Sequence, residues 1–184
     1  MILQKKNIHM VKVYDNIIPD DVCQKLIGIF ETNVQHQHFI NENNCPCFTQ
    51  VNLNQVSSDN VRLLIPFLAD VYQRYRKDTK NFYSPPLKEL EEFRIKRYNT
   101  SGDERFDEHV DVTDYSSARR ALAFLFYLND NDGDTYFPDH QLIVHPKAGR
   151  VLVFPPTWEY PHIGYSPKTQ KKYIMSTYLH YGQN

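Results

Sequence analysis

The chain has 184 residues, enough for one domain with a substantial core, and 41% of them are hydrophobic, as in soluble globular proteins. A formal net charge of -1 gives no bulk imbalance that would draw the chain to nucleic acid or to a membrane surface. No apolar run approaches the length of a membrane span, and the opening "MILQKKNIHM" is too short and polar for a signal peptide, so a cytoplasmic protein is expected.

Three cysteines without a secretion signal argue against a disulfide framework. Cys45-Pro46-Cys47 resembles half of a zinc site, but no second cysteine pair completes it. "VKVYDNIIPDDVCQKLIGIFET" reads as a strand, a turn and a helix. Asp20 or Asp21 is placed to cap that helix, with Val22, Leu26, Ile27 and Phe30 as its buried stripe. "NVQHQHFINENNCPCFTQVNLNQ" is polar and Asn-rich and reads as strands or loops without a clear period. "SSDNVRLLIPFLADVYQRYRKDTK" has helical spacing, with Pro66 expected to bend or restart the helix. After Pro85 and Pro86 the chain turns β-rich. "FRIKRYN", "ALAFLFYLND", "QLIVHP", "RVLVFPP" and "KKYIMSTYLHY" are short, rich in β-formers and bounded by Gly, Pro, Asn and Asp. Strands at this spacing suggest a barrel or jelly roll. The expected organisation is one domain over 1–184: a mainly helical support region over 1–85 and a β core over 86–184.

"RFDEHVD" holds the only His-x-Asp triplet. Residues i and i+2 of a strand share a face, so His109 and Asp111 can reach one point in space. Two histidines and one carboxylate on one side of an iron leave positions open for a cosubstrate and for oxygen, so a third ligand is needed. His9 is terminal, His140 and His145 flank a short strand, and His180 lies near the C-terminal end. His36-x-His38 sits in a polar stretch and fits a surface role. His162 stands apart, because Lys172 follows ten residues later and opens a strand on which Lys172, Ile174, Ser176 and Tyr178 share a face. If that face lines the barrel, Lys172 is a buried cation with no acidic partner on its own strand, and a dicarboxylate ligand would supply one.

These residues fall in an ordered series. Arg97, Tyr98, Gly102 and Phe106 precede His109 and Asp111; "FYLNDNDGDTYFP", "HPKAGRVLVFP", His162-x-Gly164 and Lys172-Tyr173 follow. The series resembles the catalytic core of the Fe(II)- and 2-oxoglutarate-dependent dioxygenases, specifically the prolyl 4-hydroxylase group. Asp132 stands where that group has the first Gly of its Gly-Gly-Glu-Thr element, Asp134 stands for the Glu, and Gln170 replaces a Gly before the basic residue. "YDNIIPDDVCQKLI" also resembles the group's entry strand and helix, leaving roughly residues 33 to 85 unmatched.

The resemblance implies an α+β fold, with a double-stranded β-helix (jelly roll) core and N-terminal helices packed on one sheet. It assigns His109, Asp111 and His162 to Fe(II) and Lys172 to the distal carboxylate of 2-oxoglutarate, the cosubstrate. Tyr98 and Thr135 stand at positions that hydrogen-bond 2-oxoglutarate in similar enzymes, and Tyr127 is a further carboxylate partner. Each of these three also fits a core residue with a satisfied hydroxyl. Related halogenases lack the carboxylate ligand, so Asp111 favours hydroxylation. The implied reaction consumes O2, releases succinate and CO2, and takes ascorbate as reductant. Its substrate would be a prolyl residue of a peptide or protein. Two alternatives stand beside it: a free amino acid or other small molecule with the same chemistry, and a non-catalytic metal-binding jelly-roll module, for which an intact Lys172 has no use. A nucleic-acid demethylase fits less well, since no second arginine is spaced after Lys172. Tyr178 and Trp158 are candidates to border the substrate space, and Phe39 to Gln55 is a candidate lid.

Overall fold

The computed structural model describes residues 10–42, 46–80 and 84–182; Cys45 of the Cys-Pro-Cys triplet and His9 lie outside them. The strands are β1 (Lys12–Tyr14), β2 (His38–Asn41), β3 (Cys47–Asn52), β4 (Arg94–Tyr98), β5 (Phe106–His109), β6 (Arg120–Tyr127), β7 (Thr135–Phe137), β8 (Leu142–Val144), β9 (Val151–Phe154), β10 (His162–Gly164) and β11 (Lys172–His180). The helices are α1 (Asp20–Thr32), α2 (Leu53–Val56) and α3 (Ser58–Thr79). One sheet runs β1-β9-β6-β11-β4-β3-β2 and the other β5-β10-β7-β8, and all pairings are antiparallel. The chain crosses between the sheets after β4, β5, β6, β8, β9 and β10. That alternation is the jelly roll the sequence led us to expect.

Strand alternation divides the core in two. On β6 and β11, Leu122, Phe124, Phe126, Tyr173, Met175 and Leu179 face outward and pack on Leu26 and Phe30 of α1 and on Leu64, Leu68, Val71, Tyr72 and Tyr75 of α3. The intervening residues Ala123, Tyr127 and Ile174 face into the barrel with Leu152, Phe154, Phe137 and Val144. Both faces of these central strands are covered, which is why "ALAFLFYL" reads as a continuous apolar run.

Three local features differ from the sequence reading. No side chain caps α1, because Pro19 occupies the cap position; Asp20 and Asp21 sit in the first turn, where their charge meets the positive end of the helix dipole. The buried stripe keeps Leu26 and Phe30 of the expected set and adds Cys23, while Val22 and Ile27 are only partly covered. Pro66 does not interrupt α3, since it lies exposed on the outer face and the carbonyl it leaves unpaired can turn to water. Residues 1–85 also contribute more than helices. β1 joins one edge of the larger sheet, and the β2–β3 hairpin extends the other edge beyond β4.

Gly149 fixes the N-terminal segment to the β-core. Its φ is +75°, and its carbonyl accepts from the N–H groups of Ile17 and Ile18 at 2.9 and 3.3 Å. A Cβ there would stand 2.3 Å from the Ile18 carbonyl oxygen. Gly149→Ala therefore combines left-handed strain with a backbone collision, and urea unfolding should show a loss of about 2–4 kcal/mol. A loss below about 0.5 kcal/mol, the scale of an ordinary surface change, would mean the contact is dispensable.

Candidate active site

The barrel-facing residues of β4 and β11 line one side of a cavity of about 570 Å³. Register pairs Tyr98 with Lys172, Lys96 with Ile174 and Arg94 with Ser176, so the cavity wall is built in rows. The Tyr98–Lys172 row lies at the base, where both residues are almost fully buried. β5 and β10 form the opposite wall, pairing His162 with His109.

His109, Asp111 and His162 converge. Nε2 of His109 lies 3.5 Å from one Asp111 oxygen, and Nε2 of His162 lies 3.8 Å from the other. The pair does not share a strand face as expected. β5 ends at His109, and Asp111 is held beyond it because its N–H and that of Val112 donate to the Pro156 carbonyl, each at 3.1 Å. The ring atoms then decide what can sit between the three groups. Nδ1 of His109 is 2.8 Å from the Asp107 carbonyl, and Nδ1 of His162 is 3.2 Å from that of Tyr160. A carbonyl only accepts, so both Nδ1 atoms carry hydrogen. In the neutral rings the Nε2 lone pairs then face a carboxylate, and acceptor meets acceptor on both sides. Burial holds the His162 pKa down to about 4, which keeps that ring neutral. Burial also opposes the Asp111 charge, but in the acid range, where the imidazoles take up protons, they and Lys96 hold its carboxyl below the usual range. Two Nε2 atoms and one carboxylate on one side, tautomers fixed by carbonyls, are the donor set of a divalent iron site.

Lys172 is 1% exposed, and its ammonium lies 5.2 Å from the centre of the Tyr98 ring. Its one hydrogen bond among the described residues, to the Tyr165 carbonyl, is 3.5 Å long. Burial drives its pKa down to about 7, opposed only by Asp134, whose carboxylate accepts from His145 at 2.9 Å. Lys171 is exposed, as the alternation requires. Thr135 is buried and lines the cavity. Tyr127 does not line it: the ring is fully buried and its hydroxyl donates to Thr135 at 2.7 Å. The phenol donates its hydrogen to Thr135, so Tyr127 orients the threonine hydroxyl from behind. Gly133 leaves room for the lysine, since a Cβ there would meet the Tyr165 carbonyl oxygen at 2.9 Å and Lys172 Cδ at 3.0 Å.

Residues 93–180 match the model of the 2OG-Fe(II) oxygenase superfamily. Over that stretch, just under half of its length, the chain is similar to the superfamily. Solved structures agree on the fold. A Pseudomonas putida prolyl-4-hydroxylase superimposes with a TM-score of 0.75 at 14% identity, over 96% of this chain and 95% of that one. A viral collagen prolyl hydroxylase from Paramecium Bursaria Chlorella virus-1, described as a 2OG complex, gives 0.69 at 17%, over 95% and 97%. A Trichoplax adhaerens prolyl hydroxylase, in complex with a hypoxia inducible factor oxygen degradation domain peptide fragment, gives 0.72 at 13%, over 95% and 84%. No curated protein matches the chain. The match marks residues 93–180 as similar to a 2OG-Fe(II) oxygenase core, in a fold shared with these prolyl hydroxylases.

Several residues of the site were not anticipated. Arg120 donates to the Asp111 carbonyl at 2.7 Å and makes a bidentate pair with Glu91 at 2.6 and 3.1 Å. Glu91 also meets His180 at 2.8 Å, and the Arg120 guanidinium lies 4.1 Å from the Tyr178 ring centre. His180, set aside in the sequence, is thus a buried partner in a network that holds the Asp111 backbone. Phe106 stacks on His109 at 3.5 Å and Phe48 stacks on Phe106 at 6.2 Å, so an aromatic shelf backs the ligand. Tyr178 borders the cavity as expected; Trp158 is 76% exposed and does not. The described residues of the expected lid, Phe39 to Gln55, fall in β2, β3 and the start of α2 or beside them, and Ile40, Glu42, Pro46, Phe48 and Gln50 line the cavity from them. β2 and β3 pair with each other at the edge of the larger sheet.

Anaerobic titration with Fe(II) or Co(II) should find one site. Asp111→Ala or His162→Ala should weaken it by more than about 100-fold, the upper end for losing a mere outer-shell partner. Affinity that survives either change would refute the triad.

Proposed function

We propose that the protein hydroxylates a prolyl residue of a peptide or protein, with 2-oxoglutarate and O2 consumed and succinate and CO2 released. His109, Asp111 and His162 would hold Fe(II), and Lys172 the distal carboxylate of 2-oxoglutarate, with Tyr98 and Thr135 as its neighbours. The observation that carries this is a nearly inaccessible lysine without a strong partner, facing the same cavity as a two-histidine, one-carboxylate cluster. A binding module would gain nothing from the cost of burying Lys172 unpaired.

The bound iron and 2-oxoglutarate supply the chemistry, coupling oxidative decarboxylation to insertion of one O2 oxygen into a C–H bond. The chain's own groups bind, orient and shield. The Nδ1 hydrogens, tied to Asp107 and Tyr160 carbonyls, keep both imidazoles in the ligating tautomer. Arg120 fixes Asp111 through its carbonyl. Phe106, Phe154 and Phe137 pack against the ligating rings and keep water from that side. The cavity continues past the triad toward Arg94, Glu42 and Gln50, which leaves space for a second substrate under the hairpin.

Binding of 2-oxoglutarate should depend on pH through Lys172. In the free protein its pKa is about 7, so the cation is present below that value and lost above it. Affinity should fall by about tenfold per pH unit above 7.5, as the ligand must recruit a proton to the lysine. Lys172→Met should bind 2-oxoglutarate about 10- to 100-fold more weakly, with the pH dependence gone. A Lys172→Met variant that binds 2-oxoglutarate as tightly as the wild type would remove Lys172 from the role.

The function itself is tested by succinate release with Fe(II) and ascorbate, with and without proline-containing peptides, and mass spectrometry on the same samples. Peptide-stimulated turnover with one oxygen added on proline is the expected result, absent in His109→Ala and Lys172→Ala. Hydroxylation of a compound without proline would reassign the substrate. Failure to bind Fe(II) and 2-oxoglutarate without oxygen would sink the proposal.

A further inference from the structure

Four cations face the cavity: Arg94, Lys96, Arg120 and Lys172. Three have a use. Arg94 pairs with Glu92 at 2.6 Å, Arg120 pairs with Glu91, and Lys172 sits at the 2-oxoglutarate end. Lys96 makes no hydrogen bond or ion pair with any other described residue. Its ammonium lies 4.9 Å from the Phe48 ring centre, on the aromatic shelf that runs through Phe106 to His109. It stands one row out from the Tyr98–Lys172 row, a step of about 7 Å along β4 toward the mouth.

The acidic groups around it are already engaged. Asp111 is the carboxylate of the metal triad, and Glu91 is held by Arg120 and His180. Glu42 lines the hairpin side of the same cavity. With a metal ion on Asp111, Lys96 would be left half-buried beside the space left for the second substrate, with Glu42 on the hairpin side of the cavity and making no ion pair with it. A half-buried cation is costly unless a ligand completes it.

We propose that Lys96 anchors a carboxylate of the substrate that is hydroxylated. This rests on the oxygenase reading above, in which Lys172 serves the cosubstrate, and it adds a second, separate anion position for the substrate. Two sources can present that carboxylate: the α-carboxylate of the reacting residue, free or C-terminal, or an Asp or Glu side chain next to it in a peptide.

Acid and amide pairs separate these. The probes are L-proline against L-prolinamide, a peptide ending in proline as acid against amide, and an internal proline flanked by Asp against Asn. The same pairs are run on other amino acids. The readouts are kcat/KM from succinate release with product mass, and the anaerobic Kd of 2-oxoglutarate. One arm should show an acid preference of about tenfold or more, the size of one charge-assisted pair. Lys96→Met should lose most of it, Lys96→Arg should keep it, and the Kd of 2-oxoglutarate should stay within about twofold in both, as for a site it does not touch. Lys96→Gln serves if the Met variant does not fold. Equal use of acid and amide by the wild type overturns the proposal. So does a Lys96 variant whose first loss is 2-oxoglutarate affinity, and so does a panel in which no acid stimulates turnover. An acid preference on a compound without proline leaves the carboxylate anchor standing and removes the prolyl reading instead.

Discussion

β11 is packed between two apolar volumes, and the two-residue period of a strand leaves it no freedom of register. Tyr173 and Met175 must meet the helices, so Lys172, Ile174 and Ser176 must enter the barrel. A one-residue slip would put a lysine against Phe30 and expel Met175 from the core. The lysine is therefore buried by the packing of its neighbours, and its cost is borne by the fold before any ligand arrives. That is a form of preorganisation: the cation is desolvated, set over Tyr98 and given room by Gly133, and binding of an anion removes a penalty already present.

The same logic governs the metal end. β5 and β10 are only four and three residues long, and neither carries much apolar area. Their pairing sets two imidazoles with ring centres 4.2 Å apart. Backbone carbonyls then choose the tautomers, and Asp111 is held from outside the strand by Pro156 on one side and by Arg120 on the other. Glu91, on the segment leading into β4, and His180, at the end of β11, brace Arg120. The network ties the loop after β5 to the two strands that carry Lys172 and Tyr98, so both ends of the cavity share one frame.

What the sequence revealed follows from where the apolar residues lie. β4, β6, β9 and β11 belong to the sheet with helices on one face and a filled barrel on the other, and their runs of Val, Leu, Ile and Phe were legible. β5, β7 and β10 are "FDEH", "TYF" and "HIG", too short and mixed to show a period. Their ligands were found by the order of motifs rather than by any strand signal. The β2–β3 hairpin escaped a firm assignment because its edge strand is mostly exposed and its inner strand faces a polar cavity mouth. Lys96 was within reach: alternation along "RIKRY" puts it on the same face as Tyr98. It went unremarked because nothing in one strand says which of its neighbours in space are already paired.

The departures from the family pattern gain a physical account together. Asp132 stands where a glycine is expected, and its side chain accepts from the N–H groups of Lys168 and Thr169 at 2.8 and 3.2 Å. Gln170, in place of a second glycine, reaches the Asp130 carbonyl from the same turn. Each replaced glycine thus carries a side chain that binds the opposite segment, and the two segments are those that lead into β7 and β11. The turn before Lys172 is held by side chains where glycines would have left it to backbone conformation alone. Gly133, between these contacts, is the one glycine of the element that remains, and it is the one whose Cβ would press on Lys172. The element tolerates change where a side chain can find a partner across the turn and keeps glycine where the lysine needs the space.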